Sequence, residues 1–295
     1  MQLHFIHNDG NAVNPRSEAR IYYSMVLLND KYFDIKFDKR FGQNFIFDKN
    51  LLVAIASDAG VTSDDVVVEI GAGAGTLTAA LASVAKEVIA YEIDDNLRPV
   101  LSHVLGEMPN VRVVYEDFMK RSDPLPPRFK VVANLPYYVT TPILMALLEG
   151  DARPDSVTVM VQKEVAERLV AAAGTEDYGA ITASMALVAD AEITRIVGRQ
   201  NFLPPPNVDS AVVRITLKEK GYTQSEILAA RRLIRAAFNM RRKTLSNALA
   251  SVLGGKDAAA QVITEAGFAP TVRGETLSAA DYVALARAAV RLGRG

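Results

Sequence analysis

The chain has 295 residues, 49% of them hydrophobic and 23% charged, the balance of a soluble globular protein with a sizeable core. No apolar run approaches the roughly 20 residues of a membrane span. The absence of cysteine excludes disulfides, thiolate metal sites and cysteine nucleophiles, and fits a cytoplasmic, reducing setting.

Charge is unevenly spread. From Glu219 onward 12 Lys+Arg meet 6 Asp+Glu, whereas the residues before it hold 21 against 28. That pattern reads either as an anionic partner for the basic part or as a surface fluctuation. His4, His7 and His103 are scattered, so no metal site is expected.

Residues 1–30 read as an N-terminal extension without the basic-then-apolar pattern of a signal peptide; a loop around Asn8–Asn11 is followed by a segment, Ser17 to Leu28, that allows a helix. From Lys31 strands and helices alternate. The apolar run Val66–Ile70 predicts a strand, Thr76–Ala85 a helix, Val88–Tyr91 a strand and Asn96–Leu105 a helix. Strands at Val111–Tyr115 and Lys130–Ala133, a helix at Thr141–Leu148, a strand at Val157–Val161 and a helix at Lys163–Ala173 follow. This spacing predicts an α/β domain with a parallel sheet covered on both faces, and ligands outside the strands' carboxyl ends. Ala191–Val197 and Ser210–Leu217, separated by Pro204-Pro205-Pro206, predict an antiparallel pair closing a mostly parallel seven-stranded sheet. Ser225–Phe238, Lys243–Leu253, Asp257–Ala266 and Ser278–Leu292 read as helices. The expected organisation is an extension over 1–30, an α/β domain over 31–218 and a small all-helical domain over 219–295.

Gly71-Ala72-Gly73-Ala74-Gly75 stands where a strand turns into a helix. Glycines there let the backbone turn tightly and approach a ligand. A dinucleotide fingerprint would place its third glycine at Thr76; the G-x-G-x-G spacing suits S-adenosylmethionine better, with a structural turn as the alternative. Glu92 ends the second strand, where a carboxylate can accept from ribose hydroxyls. Asp117 ends the third and can accept from an adenine amine, with Phe118 or Ile93 as an apolar wall.

Asn134-Leu135-Pro136-Tyr137 follows the fourth strand. The amine of adenine is a weak nucleophile because its lone pair is delocalised into the ring. Two acceptors on its hydrogens, the side-chain oxygen of Asn134 and the carbonyl of Leu135, favour a pyramidal nitrogen and aim its lone pair at a sulfonium methyl. Tyr137 offers a stacking face. The work is positioning and electrostatics, with no strong general base. As an alternative, Asn-x-Pro-Tyr is simply a turn.

These segments, with Phe41-Gly42-Gln43-Asn44-Phe45, Tyr178-Gly179-Ala180, the run from Phe202 to Val213 and Phe238-Asn239-Met240-Arg241-Arg242-Lys243-Thr244-Leu245, resemble the small-subunit ribosomal RNA adenine dimethyltransferases of the KsgA/RsmA type. The likeness runs in consistent order from about Lys39 to Leu249. It implies a Rossmann-like, S-adenosylmethionine-dependent domain that dimethylates N6 of two adjacent adenosines near the 3′ end of 16S ribosomal RNA. The RNA would be presented in the small subunit or its precursor, to an enzyme acting as a monomer without metal or membrane. By position it implies cofactor contacts from Asn44, Ile46, Gly71, Glu92, Asp117 and Asn134; Ile46 stands where leucine is commoner.

Phe202, ahead of three prolines, is expected either to clamp a flipped adenine opposite Tyr137 or to anchor the hairpin in the core. Arg231, Arg232, Arg235, Arg241, Arg242 and Lys243 form a run without an acid until beyond Asn247 and are expected to meet RNA phosphates; for Arg241 and Arg242 bracing is the alternative. Two rivals remain at this point: an Erm-type enzyme acting on large-subunit RNA, and a non-catalytic RNA-binding assembly factor.

Overall fold

The computed structural model describes residues 22–28, 31–37, 42–136, 138–150 and 152–294. Two strands open it, β1 (Tyr22–Leu28) and β2 (Lys31–Phe37), paired antiparallel from Tyr22↔Phe37 to Leu28↔Lys31. The segment that allowed a helix is therefore a strand over its described part. Tyr22, Tyr23 and Val26 favour the pleated state, and the partner strand alternates, burying Phe33 and Ile35.

A short strand, β3 (Phe45–Ile46), leads to α1 (Lys49–Asp58). Asp48 caps this helix, accepting from the backbone of Asn50 and Leu51. Then come β4 (Val66–Ile70), α2 (Thr76–Ala82), β5 (Glu87–Tyr91), α3 (Arg98–Leu105), β6 (Val111–Val114), β7 (Lys130–Asn134), α4 (Thr140–Glu149), β8 (Ser156–Gln162), α5 (Lys163–Leu169) and α6 (Ala180–Met185). The chain continues through β9 (Ala189–Val197), β10 (Phe202–Leu203), β11 (Ser210–Leu217), α7 (Gln224–Asn239), α8 (Leu245–Leu253), α9 (Lys256–Glu265) and α10 (Ala279–Arg291).

The main sheet has the order β6-β5-β4-β7-β8-β11-β9. The pairs β4–β5, β4–β7, β5–β6 and β7–β8 are parallel, and β11 is inserted between β8 and β9. Chain order runs outward from β4 through β5 to β6 on one side and from β7 to β8 on the other, so the switch point where such sheets bind ligands lies between β4 and β7. One face packs Val67, Val88 and Val132 against Leu52 and Ile55 of α1 and Leu77 and Leu81 of α2. A second cluster joins Ile35, Phe45 and Phe47 to Val100, Leu101 and Val104 of α3. Fully burying one such side chain stabilises by about 1.5–3 kcal/mol, which holds the strand ends in place.

Contacts divide the chain into two compact units. One runs to Lys163 and includes Thr194–Arg214; the other joins Glu164–Ile193 to the residues from Ile215 onward. This differs from the linear boundary expected at 218, because α6 packs on α7 and Tyr178 donates its hydroxyl to the Leu277 carbonyl at 3.0 Å. In the second unit, capping boxes start α7 (Thr223 with Glu226) and α10 (Ser278 with Asp281). Buried Tyr282 donates to the Gly274 carbonyl.

Candidate functional site

Four consecutive strand ends line one cleft in the first unit. After β4 the glycine loop turns back, with Gly71 and Ala72 donating their N–H groups to the Tyr91 carbonyl. Gly73 sits at φ +58°, and a Cβ there would lie 2.8 Å from the Phe45 ring. Left-handed backbone and contact with an aromatic thus both demand glycine. Thr76 Oγ1 donates to the Ile46 carbonyl at 2.7 Å, fastening β3 to the start of α2.

After β5 stands Glu92. Its Oε2 accepts from Gly73 N at 2.7 Å, and its Oε1 from Ile93 N at 2.9 Å and Asp94 N at 2.8 Å. Burial pushes this carboxyl above its ordinary value, and the three N–H donors pull it part of the way back. Asp94, also buried, accepts from Gln43 Nε2 at 2.8 Å. Beyond β6, Asp117 caps a short turn by accepting from Met119 N. Phe118 is buried behind it, edge-on to Tyr91 at 5.2 Å and under the Arg121 guanidinium at 4.8 Å. Ile93 is 51% exposed and lines the cleft. After β7, Asn134 Nδ2 donates to the Asn44 carbonyl at 2.8 Å. Because that carbonyl can only accept, the amide oxygen is the atom left to accept from a ligand. Leu135 is buried in the cleft wall, and Tyr138 is 62% exposed at its rim. Tyr137 lies outside the described residues.

The expected cofactor contacts Asn44, Ile46, Gly71, Gly73, Glu92, Ile93, Asp117, Phe118 and Asn134, with Leu135, all line this one cleft. Phe202 does not line it. It pairs with Ile46 through β10–β3, is 5% exposed and packs with Leu52 and Val132 in the core. A buried ring has no free face for a base, which corrects the clamp expectation in favour of the anchor. Gln43, Glu69, Thr76 and Tyr138 line the cleft and were not singled out from the sequence. Of these, Glu69 carried a visible signal, an acid inside an otherwise apolar strand.

The basic run separates into different roles. Arg231 is 3% exposed on α7, so phosphate contact is corrected to burial: the inward stripe Ile227, Ala230, Ile234 and Ala237 carries position 231 inside. Arg241 reaches Glu275 Oε2 at 2.5 Å and the Glu176 carbonyl at 2.6 Å, a brace within its own unit. Arg232 is exposed with one nitrogen on the Val252 carbonyl, and Arg235, Arg242 and Lys243 are exposed.

A sheet whose strand order reverses at a glycine loop, with carboxylates on the neighbouring strand ends lining the cleft, defines a Rossmann-like methyltransferase fold. Two solved structures share it over most of the chain. A dimethyladenosine transferase from Plasmodium falciparum superposes with a TM-score of 0.76 at 26% identity, covering 85% of this chain and 98% of that one. The 23S rRNA methyltransferase ErmE does so with a TM-score of 0.66 at 27% identity, covering 83% and 99%. The chain belongs to the ribosomal RNA adenine dimethylase family, whose model matches residues 35–289. Among curated relatives, the ribosomal RNA small subunit methyltransferase A of Lachnoclostridium phytofermentans is 43% identical over 85% of this chain and 90% of its own length. That of Shouchella clausii is 44% identical over 85% and 88%.

Proposed function

We propose that this chain is an S-adenosylmethionine-dependent enzyme that dimethylates N6 of two adjacent adenosines near the 3′ end of 16S ribosomal RNA during small-subunit biogenesis. The observation that carries this reading is the orientation of Asn134, whose amide nitrogen is spent on Asn44 and whose oxygen is left as an acceptor beside the Leu135 backbone. Family membership and relatives at about 43% identity named for the small subunit favour it over large-subunit RNA, where ErmE is 27% identical.

The cleft fits the cofactor. Gly73 lets the glycine loop pack closely on the Phe45 ring, where a Cβ would clash, and Glu92, held by three N–H groups, keeps about one lone-pair site for a ribose hydroxyl. Phe118 and Ile93 give an apolar wall for a purine. When bound, S-adenosylmethionine supplies an electrophilic methyl on a sulfonium. Asn134 Oδ1 and the Leu135 carbonyl take the two amine hydrogens of the adenine and hold its nitrogen pyramidal, with Tyr137 assigned to stack on the ring. These contacts strengthen as the nitrogen rehybridises, so they act chiefly in the transition state. Arg232, Arg235, Arg242 and Lys243 supply phosphate contacts. The same reading has the enzyme act in the cytoplasm as a monomer without metal.

Methyl transfer to purified 30S and 50S subunits, followed by mapping of the modified adenosines, tests it. Two dimethylated adenosines near the 16S 3′ end are expected. Modification confined to 23S RNA, or none with a folded protein, would sink it.

A further inference from the structure

Glu69, Glu92 and Glu116 line the cleft, and the fold treats the two buried ones, Glu69 and Glu92, oppositely. Glu92 receives three backbone N–H groups. Glu69, two residues before Gly71, is 1% exposed, and its Oε2 has no hydrogen-bond partner among the described residues. In register across the sheet, Glu69 stands beside Ala90 on β5 and Val132 on β7, with Thr158 of β8 beyond. Leu52 of α1 and Leu77 of α2 share its wall of the cleft. From α2 the Thr78 hydroxyl eases its charge a little, though it stands outside hydrogen-bonding geometry. The ionisable group acting on it is Glu92, which is acidic too. Among the described residues no cation acts on it.

Leaving an ionised carboxylate in such a place without a partner is expensive. Burial, with a smaller push from the neighbouring Glu92, raises the Glu69 carboxyl to about 8. At neutral pH Glu69 is therefore mostly protonated in the ligand-free cleft, whereas three N–H donors favour the charged form of Glu92, a division set by the donors each side chain meets. Yet the Glu69 oxygen borders the space a ligand fills.

We infer that Glu69 receives a cationic group of the cleft's ligand and gives up its proton to solvent as that ligand binds. The inference rests on the proposed cofactor, which carries two such groups, a sulfonium and an α-ammonium. In the step the carboxyl O–H bond breaks, the proton passes to the buffer, and the carboxylate left behind pairs with the arriving cation. An opposite charge within about 4–6 Å favours the ionised form by enough to reverse the effect of burial. Binding then tightens by up to about tenfold per pH unit between roughly pH 6 and 8, and levels off above.

Calorimetry of the full chain with S-adenosylmethionine at pH 7, in phosphate and in Tris, reads the proton directly as a buffer-dependent heat. Wild type should release close to one proton per cofactor bound and Glu69→Gln none. S-adenosylhomocysteine, which keeps the ammonium and lacks the sulfonium charge, separates the two sources: equal release assigns the ammonium, and lost release assigns the sulfonium. An infrared carbonyl band of a protonated carboxyl, present in the free wild-type protein and bleached by the cofactor, tests the same step without any variant. Binding with the same heat in both buffers would overturn the inference. So would a folded Glu69→Gln protein that still releases the proton. No heat in either buffer would instead remove the cofactor reading itself, and this inference with it.

Discussion

Asn134 and Asn44 are joined across the cleft, the side-chain amide of the first donating to the backbone carbonyl of the second at 2.8 Å. One residue thus fastens the segment 43–46 to the end of β7 and, by the same bond, fixes which of its amide atoms is left free to accept.

Asn134→Ala should lower the single-turnover rate of methyl transfer by about 10²–10³-fold at saturating cofactor, the scale for one preorganised electrostatic contact. Asn134→Asp should be no better, since a carboxylate cannot donate to Asn44. A rapid-quench assay on purified small subunits reads both.

Glu92→Ala should weaken cofactor binding by about 1–3 kcal/mol, the range for losing a hydrogen bond to a charged group. Titration calorimetry with a folded variant measures it, and unchanged affinity would remove Glu92 from the ribose site.

Gly73→Ala meets two separate obstacles, the positive φ and the Phe45 ring 2.8 Å from the new Cβ. Adding Phe45→Ala should relieve the clash and leave the backbone strain, about 1–2 kcal/mol. Urea denaturation of the single and double variants separates the two costs.

Replacing Arg242 and Lys243 with Gln should reduce the salt dependence of RNA binding by a slope of about 2 while leaving the melting temperature near wild type. Arg241→Gln should do the reverse. It should cost about 1 kcal/mol of stability through the lost bonds to Glu275 and Glu176, with little change in slope. Filter binding across a salt series and thermal melts distinguish the two sets.

Glu69 links stability to pH. Its carboxyl is raised from 4.5 to about 8 in the folded chain, so the native state keeps a proton that the unfolded chain releases. The stability this group contributes is full below about pH 4.5 and is lost as pH rises towards 8. Glu69→Gln should therefore gain on wild type by about 1.4 kcal/mol per pH unit across pH 6–8. Chemical denaturation at three pH values checks the sign.

The alternation of strands and helices from Val66 to Leu169 is legible because strands buried on both faces are unbroken apolar runs. The residues closing those strands, glycines, Glu92, Asp117 and Asn134, are read from the same runs, which is why most of the cleft follows from sequence. Pairings between distant segments are not written in any local pattern. For Phe202 the sequence leaves clamp and anchor both open, because Ile46, its partner, stands far away in the chain. The hairpin of β1 and β2 was missed for a related reason: twelve residues from Ser17 mix polar and apolar types without a clear period. Arg231 is a different case. Its place on the stripe between Ile227 and Ile234 follows from helical phase, whereas the surrounding run of charge points the other way.

The short ladder between Phe45-Ile46 and Phe202-Leu203 makes two remote stretches of chain a single mechanical part. The segment Phe45-Ile46 cannot be exchanged for a relative's unless the proline-rich loop travels with it. A chimera cut between them would inherit mismatched halves of one joint, so recombination among these enzymes should respect that pairing more strictly than linear order suggests.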